Sequence, residues 1–194
     1  MILRYIILLS ILTSPIFAQE RSNYIGGMVG YSSTKSTYDS NASITSKEWN
    51  FSPEVGVWLY EDVQTGLIVN LSGSDDGIQK TVNTFSPGAY VRKWHDLSDL
   101  FHVYAGFNAT FITSKTEITG QFPSKSREKG IGAFIDFGAS LNINEKWRIV
   151  GRYATLGYEF VKNLEKQSKT DSFGFNVDTL GNPFNVGLYY TFRQ

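Results

Sequence analysis

The chain has 194 residues, in which 18 Lys and Arg balance 18 Asp and Glu, and it contains no cysteine. The charge balance gives no electrostatic reason to bind nucleic acid, and the missing thiols exclude a disulfide framework, a thiolate metal site and a lipid anchor on cysteine. The length suits one domain, whose stability must come from extensive pairing of its own backbone.

At the start stand one basic residue, Arg4, the apolar run Tyr5 to Leu12, a helix-breaking Ser14-Pro15 and the small Ala18 ahead of Gln19. That order is the one of a secretory signal peptide. The run is also shorter than the ~20 apolar residues that span a bilayer as a helix. Residues 1–18 are therefore read as a signal peptide and 19–194 as the mature domain. Ile16, three before the cut, leaves cleavage after Ala18 or Gln19 open. Loss of Arg4 leaves 17 basic against 18 acidic residues.

From there the hydrophobic period is two, with 18 glycines in the chain and no convincing helical stretch. The pattern predicts eight strands near 23–35, 47–60, 63–74, 81–94, 100–115, 128–143, 146–162 and 171–193. Tight turns at Tyr60-Glu61-Asp62, His95 to Asp99 and Asn144-Glu145-Lys146 alternate with longer polar stretches at Ser36 to Ser46, Asp75 to Lys80, Thr116 to Arg127 and Lys162 to Thr170. Short turns on one side and longer loops on the other are what transmembrane barrels show.

Each strand divides into two faces. In the fifth, Phe101, Val103, Ala105, Phe107, Ala109 and Phe111 alternate with His102, Tyr104, Gly106, Asn108 and Thr110. In the sixth, Ile131, Ala133, Ile135, Phe137, Ala139 and Leu141 alternate with Gly132, Phe134, Asp136, Gly138 and Ser140. In the last, Phe184, Val186, Leu188, Tyr190 and Phe192 oppose Asn185, Gly187, Tyr189 and Thr191. Across strands three, five and six the only mid-strand charge is Asp136. A soluble barrel would dot its polar face with Lys and Glu, whereas Arg or Lys at the bilayer midplane costs about 2–4 kcal/mol on a lipid face. The apolar faces are thus expected to meet lipid, with glycines and small polar residues filling a narrow lumen.

Pro53 and Pro87 stand inside strands in a shared context, Phe51-Ser52-Pro53 and Phe85-Ser86-Pro87. Proline removes a ladder hydrogen bond, so bulges are expected there. Gly181-Asn182-Pro183 predicts a break in the last strand. Asn41, Asn70 and Asn108 head N-x-S/T triplets; the last two have inward parity and are read as chance.

The segments YIGGMVGYSSTKS, WNFSPEVGVWLYEDVQTGLIVNLSGSDD, FSPGAYVRKW and FNVGLYYTF resemble the small outer-membrane β-barrel family common in Bacteroidetes, a relative in architecture of OmpA-like and OmpX-like barrels. The resemblance implies an eight-stranded antiparallel up-and-down transmembrane barrel in a bacterial outer membrane. It also implies that the final strand, Phe184, Val186, Leu188, Tyr190 and Phe192, is the segment read by the barrel-insertion machinery. Arg193 and Gln194 follow Phe192 here, a departure from the common ending on the aromatic itself.

Candidate sites are few. Parity puts Glu54, Arg92, Asp136, Arg148 and Arg152 on the lumen side, where charges must be paired or hydrated. They are read as a structural ion-pair plug, the alternative being an ion path. His95, Asp96, Ser98, Asp99 and His102 offer hydrolase residue types, but four of them fall in a turn where Asp and Ser are ordinary formers. Trp58 and Trp94 have inward parity and are read as a lumen floor, while Trp147 faces outward as part of an aromatic girdle. Lys115, Lys125, Arg127 and Lys129 could meet lipopolysaccharide phosphates or simply be solvated. No metal or cofactor spacing occurs. The expected partners are outer-membrane lipids, lipopolysaccharide and the insertion machinery, with no catalysis. The rivals are a secreted lipocalin-like carrier, for which Gly56-Val57-Trp58 supplies a misplaced G-x-W, and a lipid-remodelling outer-membrane enzyme.

Overall fold

A computed structural model describes residues 22–37, 43–177 and 185–192. Residues 1–18, Asn41, Gly181-Asn182-Pro183, Phe184, Arg193 and Gln194 lie outside the described residues. The strands are β1 (Asn23–Thr37), β2 (Ser43–Trp58), β3 (Val63–Asp75), β4 (Lys80–Asp96), β5 (Phe101–Ile118), β6 (Ser124–Asn142), β7 (Trp147–Asn163), β8 (Lys169–Val177) and β9 (Asn185–Phe192).

Each of β1 to β7 pairs antiparallel with the next. β8 and β9 share the eighth position, β8 along Ala154–Lys162 and β9 along Trp147–Arg152 of β7. β9 then pairs with β1 and closes the cylinder. The result is a closed eight-stranded antiparallel barrel.

The stagger of that closure is readable residue by residue. Paired partners lead from Asn142 through Arg148, Tyr189, Gly26, Glu54, Ile68, Gly88 and Thr110 back to β6 at Gly132. The circuit returns ten residues from its origin, which with ordinary strand spacings tilts the strands by about 40°. On β6 the outward residues from Ile131 to Leu141 carry no charge. At that tilt they cover about 25 Å along the axis, the height of an apolar membrane band.

Exposure follows the expected faces. Phe107, Phe111, Ile131, Leu67 and Leu188 are exposed, whereas Asn108, Thr110, Asp136, Ser140 and Tyr189 are buried. Trp147, Tyr190 and Phe192 stack outward at the short-turn end, with centroids 4.8 Å apart in each successive pair.

Three expectations need correction. Pro53 and Pro87 produce no bulge. Pro53 pairs with Gly27 but not with β3, and Pro87 pairs with Val69 but not with β5, while the register on each side continues unshifted. The missing N–H deletes a bond without adding a residue. The register shift lies elsewhere, where Phe137 pairs with Ala154 and Gly138 with Arg152. Tyr153 is the extra residue, and it reverses the faces of β7 beyond it.

The polar stretches are also mostly strand. β5 continues to Ile118 and β6 begins at Ser124, so only 119–123 turns, and β1 and β2 reach Thr37 and Ser43. Ser, Thr and Ile alternating with charge suit a ladder solvated on both faces. Finally, the lumen is not filled by small residues alone. Tyr24, Met28, Ile68, Tyr90, Trp94, Tyr104, Val150 and Tyr189 form its buried apolar cluster.

Candidate functional site

The lumen is layered along the axis, and each layer follows from which inward residues share a row. At the short-turn end, Arg148 Nε donates to Asn142 Oδ1 at 2.7 Å. This fixes the amide, so Asn142 Nδ2 faces His102 Nε2 at 2.7 Å. Nε2 is therefore the acceptor, and Nδ1–H donates to Asp96 Oδ1 at 2.5 Å. Asp96 and His102 thus do converge, contrary to the turn-only expectation. Among the described residues no Ser hydroxyl is hydrogen-bonded to them: Ser98 Oγ instead accepts from the Phe101 N–H at 3.1 Å.

Above them lies an aromatic collar. Arg148 stacks over Trp94 at 4.8 Å and Trp58 at 5.2 Å. The rings continue from Trp58 to Trp94 at 6.2 Å and from Trp94 to Tyr104 at 4.7 Å. Tyr24 extends the series from Trp58 to Tyr189. Trp94 Nε1 donates to Gln64 Oε1 at 3.2 Å, so its polar edge is satisfied inside. Both inward tryptophans therefore sit where parity placed them.

The next layer is the ion cluster. Arg92, from β4, has only 1% of its surface exposed, as has Asp136, and Glu54 has 2%. Arg92 Nη1 donates to Glu54 Oε1 at 3.0 Å and lies 3.4 Å from the Tyr189 hydroxyl. Its Nε stands 3.7 Å from Asp136 Oδ2, an ion pair too long to be a hydrogen bond. Asn108 Nδ2 donates to Asp136 Oδ1 at 2.8 Å. The guanidinium also lies 4.3 Å from the Tyr90 ring centroid and 5.1 Å from that of Tyr104. Two carboxylates from different strands thus face one delocalised cation, held between aromatic faces.

Glycines create the space. Gly106 pairs with both Arg92 and Asp136. A Cβ there would collide with Asp136 Oδ1 and lie 2.9 Å from Arg92 Cγ, so only a bare Cα lets the two charges meet in one row. Likewise a Cβ on Gly138 would run into the Tyr104 ring.

Of the five sequence-predicted charges, Glu54, Arg92 and Asp136 form the cluster and Arg152 lines the lumen beside it. Arg148 is a correction: it belongs to the short-turn layer with Asn142 and the tryptophans. Val186, Leu188, Tyr190 and Phe192 form the outward face of β9. The basic group at the β5–β6 hairpin is partly neutralised, since Glu117 pairs with Lys115 and, at 3.5 Å, with Lys125. Lys115 holds the Glu117 carboxyl below its ordinary pKa, chiefly by hydrogen bonding. Parity turned Tyr104, Tyr189 and Asn108 inward, but sequence reasoning gave them, Tyr24, Tyr90, Gln64 and Asn142 no role in the site. The legible signal was an inward aromatic beside a glycine on the neighbouring strand, as with Tyr104 and Gly138.

An apolar band outside, charges and rings inside, and a closed ladder define a transmembrane β-barrel. The chain belongs to the family of the outer membrane protein beta-barrel domain, whose family model matches residues 6–192, and it resides in the outer membrane. No curated protein matches significantly. Among solved structures it is similar to Neisserial surface protein A, at 14% identity and a TM-score of 0.51 over 89% of this chain and 96% of that one. A major outer membrane protein from Thermus thermophilus aligns at 10% identity and a TM-score of 0.52 over 90% and 100%. The translocator domain of the autotransporter NalP from Neisseria meningitidis aligns at 10% and 0.50 over 95% and 94%. At these identities the likeness concerns the fold alone.

Proposed function

We propose that this protein is a non-catalytic, non-conducting structural or surface-interaction barrel of the small Bacteroidetes type, exported by the signal segment 1–18 and mature from residue 19. The supporting observation is the position of Arg92, buried between Glu54 on β2 and Asp136 on β6 and flanked by tyrosine rings. Eight strands leave a bore that side chains fill, whereas aqueous channels occur at about sixteen. The cluster and the collar beneath it act as a plug. The outer hairpins face lipopolysaccharide and external partners, and β9 serves the insertion machinery.

The test is planar-bilayer recording on refolded protein at neutral pH. Wild type should give no stable conductance steps, whereas Arg92→Ala should give steps or current noise. Stable steps from wild type would overturn the plug. One observation favours a second reading, lipid remodelling: Asp96 and His102 form a hydrogen-bonded pair near the buried Ser140, which pairs with His102 across strands. Against it, His102 Nε2 is occupied by Asn142.

A further inference from the structure

We infer that the outer half of the lumen is a binding cup for a small protonated amine that also carries hydroxyl groups. A cavity of about 520 Å³ stands above the ion cluster, lined by Asn50, Asn108, Thr110, Phe134, Glu159 and Arg152 among others. Its size falls within the range of about 300–1,000 Å³ for small-molecule sites.

The rows show how it is built. Thr110, Gly132 and Glu159 are successive partners across β5, β6 and β7, and Asn108, Phe134 and Gly157 form the next row inward. Glu159 faces the lumen only because the extra Tyr153 has reversed the faces of β7. Two strand spacings, about 10 Å, separate Thr110 from Glu159. Gly132, between them, fills none of that gap. A Cβ on Gly132 would lie 2.5 Å from Phe134 Cε2, so the ring covers the bare glycine and adds an apolar wall.

The unmet bonds identify the ligand's chemistry. Asn108 and Thr110 are more than nine-tenths buried. Asn108 Oδ1, Thr110 Oγ1 and Asn50 Oδ1 have no hydrogen-bond partner among the described residues. Asn108 has committed its amide nitrogen to Asp136, which leaves its oxygen as an acceptor turned elsewhere. Buried acceptors call for donors. At the floor, Arg92 and Arg152 balance Glu54 and Asp136, so Glu159 is the surplus charge. It makes no ion pair among the described residues. A neutral sugar would answer the acceptors but not the charge, and an anion would leave Glu159 unpaired. A protonated amine answers both, and can lie over the Phe134 ring.

The test titrates the refolded barrel in detergent with glucosamine, glucose and glucuronate, followed by amide NMR and calorimetry. Glucosamine should shift the amides of Asn108, Thr110 and Phe134 and bind at least about tenfold more tightly than glucose, with glucuronate weakest. Glu159→Gln should reduce the glucosamine preference to within about twofold, and Thr110→Val should weaken both sugars. Heat-modifiable gel migration verifies that each variant is folded. An equal response to all three probes, no response, or shifts confined to the outer hairpin tips would overturn the cup. The inference rests on the plug as its floor: no binding by a non-conducting barrel defeats the cup alone, whereas conductance by wild type defeats both.

Discussion

Arg92 and Glu54 meet at 3.0 Å across the lumen, joining β4 to β2 past the intervening β3 rather than along the wall. Removing one partner of a buried pair strands the other, at a cost of about 3–5 kcal/mol. Arg92→Ala should destabilise the refolded barrel by that order in urea titrations. The triple replacement Arg92→Ala, Glu54→Gln and Asp136→Asn should recover most of the loss. If the single change is as stable as wild type, the cluster is not a structural element.

Gly106 tests the same cluster without touching a charge. Gly106→Val inserts a branched side chain where even a Cβ meets Asp136 and Arg92. It should separate the ion pair and lower the midpoint of unfolding substantially. Gly174, which has nothing within reach of an added Cβ, should accept Val with little change. Equal tolerance at the two positions would contradict the packing.

The two faces differ in their tolerance of charge. Phe137→Arg and Leu188→Arg on the lipid side should each cost about 2–4 kcal/mol near the midplane and reduce the heat-modifiable fraction after outer-membrane extraction. Ser72→Ala, on the lumen side, should assemble normally. Asn108→Ser lies between them, because it loses the donor that satisfies Asp136.

Asp76 sets the acid response of the β3–β4 hairpin. Its carboxylate accepts N–H bonds from Lys80, Ile78 and Gln79, which lower its pKa below the usual 3.8. A depressed folded value stabilises the turn above the unfolded value and releases it as pH falls through the folded one. The amide shifts of Ile78, Gln79 and Lys80 should therefore stay constant down to about pH 4 and move only below it. In Asp76→Asn that acid step should vanish.

His102→Ala should leave the mass profile of lipid A unchanged when the protein is expressed in a host, since the ring is held by Asp96 and Asn142 and, among the described residues, has no nucleophile in hydrogen-bond contact. A changed lipid profile that His102→Ala abolishes would instead establish an enzyme.

Much of this architecture is legible in the sequence, for a physical reason. A strand facing lipid on one side must repeat its pattern with period two, so Phe107, Phe137 and Leu188 declare their side at once. The inward positions of Glu54, Arg92 and Asp136 follow from the same parity. What parity cannot give is depth, because the stagger between strands decides which inward residues share a row. Arg148 and Arg92 are alike in sequence terms, yet one stacks at the short-turn end and the other sits among carboxylates. The Tyr153 bulge was equally hidden, since its single extra residue leaves apolar side chains at both parities, with Tyr153 on one and Leu156 and Tyr158 on the other. Prolines drew the expectation of bulges to themselves, although a lost donor does not require an inserted residue.

The ladder closes on itself with a ten-residue offset. A hoop of fixed strand number and fixed offset has a fixed circumference, so this protein cannot widen its passage by flexing its wall. Any change in what it admits or retains must come from exchanging the groups that occupy its interior, one position at a time, and the relation between Gly106 and its two charged neighbours marks one place where a single methyl group would be felt.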